Sequence, residues 1–221
     1  DPLIHVVMGL GRGYHRDPER VEIANSTHQK TLTNHGHPPE AQVVAEFARF
    51  RGAMERTGVQ VHQPELASDT VQDQTCPRDI AFVIGDTLVI AGMRHSGRVE
   101  EIDAVRGILA GFEGPHVTVP KGLTLEGGDV IVHGPQVFLG AGQRSDPEGT
   151  AFLAQQFPEH EVIAVPTKGV SDGEEVLHLD CAFNPLGLGH ALIYPCGLAR
   201  VPEDLHAFDW IEVPREEAQR G

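Results

Sequence analysis

The chain has 221 residues, of which 40% are hydrophobic and 22% charged, an ordinary mix for a globular protein with a full hydrophobic core. Its formal net charge of -15, from 32 acidic and 17 basic residues, argues against a nucleic-acid partner, because binding to a phosphate backbone depends on Lys and Arg. The sequence contains no apolar run of about 18 residues and no recognisable signal peptide, so we expect neither a membrane span nor membrane binding.

The cysteines and histidines indicate the cellular compartment of the protein and whether it has a metal site. Cys76, Cys181 and Cys196 are odd in number and form no CxxC pair, a usage typical of reduced thiols, and we therefore expect a cytoplasmic protein. The 13 histidines form no HxxxH pair and no Cys/His cluster with the spacing of a metal site, so the sequence predicts no metal.

The first clear helical pattern begins at Pro39. Gly58 stands where a C-terminal cap belongs, and the alternating residues 59–64 (VQVHQP) then predict a strand. Apolar residues recur at helical spacing between these points: Val43, Phe47, Phe50 and Met54. The pattern predicts a helix followed by a strand.

Three further units have the same plan of two strands, a helical segment and a strand. The first opens with PRDIAFVIGDTLVIAG, which predicts a hairpin over 80–91 with its turn at Gly85-Asp86, followed by a helix from about Arg98 and the strand HVTVP. The second opens with LEGGDVIVHGPQVFLGAG and continues with SDPE, which supplies an N-cap, a proline and an acidic residue for a helix to Phe157 before EVIAVP. The third opens with HLDCAFNPLGLGHALIYP, has a short helical segment over 203–207 and ends with WIEVP.

These units overlay on one another. The stretches 79–94 and 129–144 both begin with Asp and end with Arg, and a third copy aligns Asp180 with Asp79. Repetition near 50 residues predicts an α/β array of ββαβ units around an axis, like a propeller. Equivalent positions in such an array converge, so we expect Asp79 and Asp180 to approach each other, with Glu126 and Asp129 nearby. The alternative is that these aspartates cap turns.

The His178-Leu179-Asp180 triplet carries the chemistry in this arrangement. We predict a strand here, in which His178 and Asp180 share one face because side chains alternate along a strand. That face would present a proton carrier beside a carboxylate, which suits a cationic substrate. The structural alternative is a histidine satisfied within the sheet and an aspartate that opens a turn.

With PRD, LEGGD and HLD in this order, the chain resembles the guanidine-modifying (pentein) superfamily of arginine deiminases, dimethylarginine dimethylaminohydrolases and amidinotransferases. The resemblance runs from about Pro39 to the end and implies one pentein-type domain over 1–221. It implies that Asp79 and Asp180 bind the substrate guanidinium, that Glu126 is an active-site acid near the catalytic histidine, and that His178 is the general acid/base. Asp129 is expected beside the substrate. Arg144 is similar to the family arginine that contacts the substrate carboxylate; the alternative is an exposed arginine before a helix.

The implied reaction attacks the guanidinium carbon with a cysteine thiolate, after which His178 protonates the departing nitrogen and activates water or an acceptor amine. No cofactor is needed. None of the three cysteines fits the nucleophile, which the family carries in a fifth unit past HLD, and this chain has four units. We therefore expect the fifth unit to be absent from these residues and both termini to be incomplete.

The sequence favours a hydrolase acting on the guanidino group of arginine or a relative. An amidinotransferase remains open, since the two reactions differ in whether water reaches the intermediate. A non-catalytic pentein that binds a partner or senses a guanidino compound is the alternative of another class. The sequence also leaves a homodimer open.

Overall fold

Glycine-containing turns and alternating apolar residues fold this chain into three hairpins, each followed by a helical segment and a third strand. The computed structural model describes residues 3–12, 38–67, 74–174 and 176–218. Its strands are β1 His5–Val7, β2 Gln60–His62, β3 Ala81–Ile84, β4 Thr87–Ile90, β5 His116–Thr118, β6 Val130–His133, β7 Gln136–Ala141, β8 Glu161–Pro166, β9 Phe183–Gly187, β10 His190–Ile193 and β11 Asp209–Glu212. Its α-helices are α1 Glu40–Glu55, α2 Val99–Leu109, α3 Pro147–Gln156 and α4 Arg215–Ala218.

The strands form small sheets whose order confirms the predicted ββαβ plan. β1 pairs with β2 in parallel, and the three-stranded sheets have the orders β3-β4-β5, β6-β7-β8 and β11-β10-β9. In the last two sheets the hairpin is antiparallel and the third strand runs parallel to the second strand of the hairpin. The chain divides into two compact units, Asp1–Val117 and Thr118–Gly221.

In the first unit, helix α1 ends as its sequence predicts. Gly58 has φ 87°, its N–H donates to the carbonyl of Glu55, and the N–H of Val59 donates to that of Met54. A residue with a side chain is strained at that φ, which explains the glycine. No residue of α1 is fully buried, and one buried hydrophobic cluster of this unit contains Ile80, Leu88, Val105 and Leu109.

In the second unit, helix α3 also begins as predicted. Asp146 is the N-cap and its Oδ1 accepts from the N–H of Gly149 at 2.6 Å, while Pro147 occupies the first position and Glu148 lies in the first turn. The core of this unit centres on three rings in edge-to-face contact, 5.3 to 6.0 Å apart: Phe138, Phe183 and Phe208. Leu179 packs into the same core and is fully buried.

A one-turn 3-10 helix precedes each of the three hairpins, formed by Pro77–Asp79, Gly127–Asp129 and Leu179–Cys181. The prediction of a strand through 178–180 is therefore wrong. The N–H of Cys181 donates to the carbonyl of His178, and that of Ala182 donates to Leu179, so the backbone turns here. Burial of the Leu179 side chain in the aromatic core stabilises this turn. The alternation of apolar and polar residues in the sequence does not reveal this effect.

The described residues contain no helix that is both long enough and apolar enough to cross a lipid bilayer.

Candidate functional site

The second unit holds a buried imidazole–carboxylate pair. Nε2 of His178 lies 2.8 Å from Oε2 of Glu126, and the two residues are 3% and 0% exposed. A carboxylate only accepts hydrogen bonds, so Nε2 of His178 is the donor in this pair. The carboxylate of Glu126 thus orients the ring of His178, as general acid/base catalysis by a histidine requires.

Each member of this pair is the residue immediately before a 3-10 turn. Glu126 precedes Gly127–Asp129 and His178 precedes Leu179–Cys181, and both have extended backbone angles. The two turns come from consecutive hairpins of one unit, which brings residues 52 positions apart into hydrogen-bond contact. The resemblance assigns an acid and the catalytic histidine to these positions, and the geometry is compatible with both.

Arg144 completes a buried charged group with this pair. It is 2% exposed, and its Nη1 lies 3.4 Å from Oε2 of Glu126. The alternative of an exposed arginine before a helix is therefore wrong. Contact of Arg144 with a substrate carboxylate stays a prediction.

Asp129 lies beneath the same group, 1% exposed. Oδ2 accepts from the hydroxyl of Ser145 at 2.6 Å, and Oδ1 accepts from the backbone N–H of Leu179 at 2.9 Å. Burial raises the pKa of Asp129 to about 6, against the opposing influence of His178 and of these two hydrogen bonds.

Asp180 is partly exposed and lies in the 3-10 turn after His178. Its backbone carbonyl accepts from the side-chain amide of Asn184 at 2.6 Å, which fixes the turn to the following hairpin. In this turn His178 and Asp180 do not share a strand face, so the expected side-by-side presentation is corrected.

In the first unit, Asp79 ends the turn Pro77–Asp79 and is 7% exposed. Its Oδ2 accepts from Nη1 of Arg98 at 2.7 Å, and Arg98 also donates to Glu101 at 2.8 and 3.0 Å. Burial alone lowers the pKa of Arg98, but the hydrogen bonds and charges of Glu101 and Asp79 raise it overall, so this guanidinium stays charged. The carboxylate predicted to bind a guanidinium thus holds one from its own chain.

The three cysteines are exposed. Desolvation around the sulfur of Cys181, with the Asp180 carboxylate 3.7 Å away, raises the pKa of that thiol, which disfavours the thiolate. Cys196 lies in the turn Pro195–Gly197, and the backbone carbonyl of Cys76 accepts from Arg98. That none of the three is the nucleophile stays a prediction.

Sequence reasoning missed three residues that contact the site residues. Arg98 pairs with Asp79, Ser145 bridges Asp129 and Glu126, and Gly140 allows Asp129 to approach β7. The only signal in the sequence was position, since Arg98 and Ser145 both lie at the start of a predicted helix. The predicted independence from metal and cofactor stays a prediction.

Comparison with known proteins identifies a family and a fold. A family model described as N,N dimethylarginine dimethylhydrolase, eukaryotic, matches residues 17–206. The uncharacterized protein YkgA of Bacillus subtilis (strain 168) is 32% identical over 151 residues, which are 67% of this chain and 51% of that protein. The chain therefore spans about half the length of the curated relative it matches.

Two solved structures illustrate the fold. Inosamine-phosphate amidinotransferase StrB1 from Streptomyces griseus matches with a TM-score of 0.79 and 18% identity, over 97% of this chain and 74% of that one. A DDAH variant from Pseudomonas aeruginosa complexed with citrulline matches with a TM-score of 0.74 and 17% identity, over 98% and 78%. These likenesses confirm the predicted α/β pentein fold.

Proposed function

The chain belongs to the N,N dimethylarginine dimethylhydrolase family of the pentein superfamily, and from this premise we propose that it provides the acid/base half of a site that hydrolyses a guanidino group. The observation that carries the proposal is the buried hydrogen bond of 2.8 Å between His178 and Glu126. The substrate class is arginine or a related guanidino compound.

His178 acts as general acid and then as general base in this proposal. Glu126 accepts the Nε2 proton, which fixes the tautomer and stabilises the imidazolium that forms when Nδ1 takes a proton. The neighbouring Asp129 adds negative charge near the ring, which also favours the charged form. Both steps take place away from bulk water, since His178 is 3% exposed.

Asp79 and Asp180 bind the substrate guanidinium, as the resemblance implies. A guanidinium is a planar cation with five donors, and carboxylates hold it by paired, charge-assisted hydrogen bonds. Asp79 already accepts from the Arg98 guanidinium at 2.7 Å, so in this proposal the substrate shares the carboxylate with Arg98. Arg144 binds the carboxylate of an amino-acid substrate.

The reaction passes through a cysteine-linked amidino intermediate. Attack of a thiolate on the guanidinium carbon and loss of ammonia or an alkylamine leave an S-alkylthiouronium, which water then converts to the ureido product and free thiol. Desolvation disfavours the thiolate of Cys181, and the proposal assigns the nucleophile to a cysteine other than the three in these residues.

The test uses the full-length protein with arginine and N,N-dimethylarginine as substrates. We expect release of a ureido product together with ammonia or dimethylamine, and loss of at least about 100-fold in kcat on His178→Ala and on Glu126→Gln. Addition of amine acceptors distinguishes an amidinotransferase, which would form a new guanidino compound and little ureido product. Binding of these compounds without any turnover would overturn the proposal in favour of a guanidino-binding protein.

A further inference from the structure

Asp129 has both of its carboxylate oxygens engaged by the protein. One accepts from the Ser145 hydroxyl at 2.6 Å and the other from the N–H of Leu179 at 2.9 Å. The side chain is almost completely buried, at 1% exposure. A substrate guanidinium would have to displace these donors and enter the core to reach it. The sequence-based expectation that Asp129 lies in contact with substrate is therefore hard to reconcile with its surroundings.

Ser145 extends this contact to the other site residues. Its oxygen donates to Asp129 and accepts from the backbone N–H of Glu126 at 3.1 Å, and the residue is 2% exposed. Arg144 is its immediate neighbour in sequence. A single hydroxyl thus connects the carboxylate of Asp129 to the backbone that carries Glu126 and to the backbone that carries Arg144.

The other oxygen of Asp129 fixes the backbone next to His178. Leu179, whose N–H it accepts, directly follows the histidine, and the Leu179 side chain is locked in the aromatic core. Rotation of the turn Leu179–Cys181 would break this bond and move the ring of His178 relative to Glu126. The Asp129 carboxylate therefore contacts the backbone at or beside each of the three charged site residues, directly or through Ser145.

Strand β7 is shaped to admit this carboxylate. A Cβ placed on Gly140 would lie 2.1 Å from Oδ1 of Asp129 and 2.9 Å from Cβ of Leu179. Any side chain at this position would push the carboxylate or the turn after His178 out of place. The sequence therefore keeps space for Asp129 on the strand that faces it.

We propose that Asp129 and Ser145 form a positioning pair that holds Glu126, Arg144 and His178 in their catalytic arrangement, and that Asp129 acts through these residues without contacting the substrate. The inference rests on the proposed function for its kinetic consequence, but its geometric consequence for His178 does not depend on turnover. The negative charge of the Asp129 carboxylate also lies close enough to His178 to favour the imidazolium form.

The test measures both consequences in the full-length protein. We expect Asp129→Asn and Ser145→Ala to lower kcat by about 10- to 100-fold on the guanidino substrate that the wild type converts, with KM changed by less than about threefold, because misplaced catalytic groups cost rate more than binding. The matched control is Tyr194→Phe, which removes another hydroxyl bond of 2.6 Å to a buried carboxylate, that of Glu174, in the same unit. The control should leave kcat and KM unchanged.

The NMR titration of the His178 ring provides the second measurement. Loss of the Asp129 charge should lower the pKa of His178 in Asp129→Asn, and Ser145→Ala should shift its ring resonances, while Tyr194→Phe leaves both unchanged. An increase in KM with unchanged kcat would instead mean that Asp129 contacts the substrate, and would overturn the inference. If the wild type turns over no guanidino compound, the proposed function fails. The positioning pair is then tested by NMR alone, and unaltered His178 resonances in both variants would reject it.

Discussion

The first and second hairpins each place an aspartate at the end of a 3-10 turn, but the two carboxylates have different kinds of partner. Asp79 accepts from a guanidinium, that of Arg98, and Asp129 accepts from a neutral hydroxyl, that of Ser145. Both partners lie just before the helix of their own hairpin unit, and the two bonds have nearly equal lengths of 2.7 and 2.6 Å. The repeated fold thus determines where the carboxylate and its partner meet. The residue at the start of the helix determines whether that partner is a charged guanidinium or a neutral hydroxyl.

This difference in partner has an electrostatic consequence. Arg98 lies between two carboxylates, Asp79 and Glu101, so the first turn has a charged network with a cation at its centre. The carboxylate of Asp129 accepts hydrogen bonds from the Ser145 hydroxyl and the N–H of Leu179, both neutral donors, and burial raises its pKa to about 6. We therefore expect substitution of Arg98 to act mainly on stability, and substitution of Asp129 to act on both pH dependence and the arrangement of the site.

The largest effect should follow from Arg98→Met. The substitution keeps most of the apolar volume but removes the donor that two buried carboxylates share, and loss of one partner from a buried ion pair costs about 3 to 5 kcal/mol. Chemical denaturation monitored by circular dichroism measures the free energy of unfolding. Arg106→Gln is the matched control, because Arg106 forms the same i,i+3 type of pair with Asp103 on the same helix but is 70% exposed. That control should cost less than about 0.5 kcal/mol, and equal losses would contradict the prediction.

These contacts also mark where sequence reasoning succeeded and where it stopped. The start of α3 at Asp146-Pro147-Glu148 and the turn of β3–β4 at Gly85-Asp86 were predictable, because the residues that stabilise them are adjacent in sequence. The same holds for the end of α1 at Gly58. The partner of Asp79 was not predictable, since Arg98 is 19 positions away and an arginine at a helix start is usually exposed.

Two of the three aligned aspartates, Asp79 and Asp129, have the same position in their 3-10 turns. The N–H groups of Asp79, Asp129 and Cys181 donate to the carbonyls three residues earlier, those of Cys76, Glu126 and His178. Cys181, and not Asp180, is therefore the counterpart of Asp79. The overlay could not reveal this shift of one residue, because the turn is fixed by backbone hydrogen bonds and by burial of Leu179. The same comparison explains why Glu126 and His178 meet: they occupy equivalent positions in consecutive hairpins.

The second prediction concerns the pH dependence of stability at Asp129. An acid whose pKa is higher in the folded chain, about 6, than its ordinary value of 3.8 binds more protons when folded between those pH values. Its contribution to stability is therefore fully present below about pH 4 and is lost as the pH rises through 6. Relative to Asp129→Asn, the wild type should gain up to about 3 kcal/mol in free energy of unfolding between pH 7 and pH 4. Urea denaturation of both proteins at each pH measures this, and a constant difference would rule out the burial effect.

The third prediction makes the second hairpin resemble the first. Counted from the two hairpin turns, Ala91 on the first hairpin has the position that Gly140 has on the second. Gly140→Ala places a Cβ 2.1 Å from Oδ1 of Asp129, so the turn or strand must shift, at a cost of about 2 kcal/mol. The reverse change, Ala91→Gly, removes one buried methyl group and should cost about 1 kcal/mol. Thermal denaturation of the two variants tests the asymmetry. If Gly140→Ala proved the milder of the two, the close approach of Asp129 to β7 would be incorrect.

The smallest effects should come from a carboxylate that has both kinds of partner. Glu174, 4% exposed, accepts from the Tyr194 hydroxyl at 2.6 Å and from the Arg215 guanidinium at 3.0 Å. Burial and this carboxylate raise the pKa of Tyr194 to about 12, so the phenol stays protonated and donates. Tyr194→Phe removes a buried donor and should cost about 1.5 kcal/mol, whereas Arg215→Ala should cost about 0.5 kcal/mol, because the Arg215 side chain is 55% exposed and solvent weakens its pair. A double-mutant cycle by urea denaturation gives both values and their coupling. A larger loss of stability from Arg215→Ala than from Tyr194→Phe would mean that the charge of a partner matters more than its burial at such a carboxylate. The difference between Asp79 and Asp129 would then have to be attributed to the charge of their partners alone.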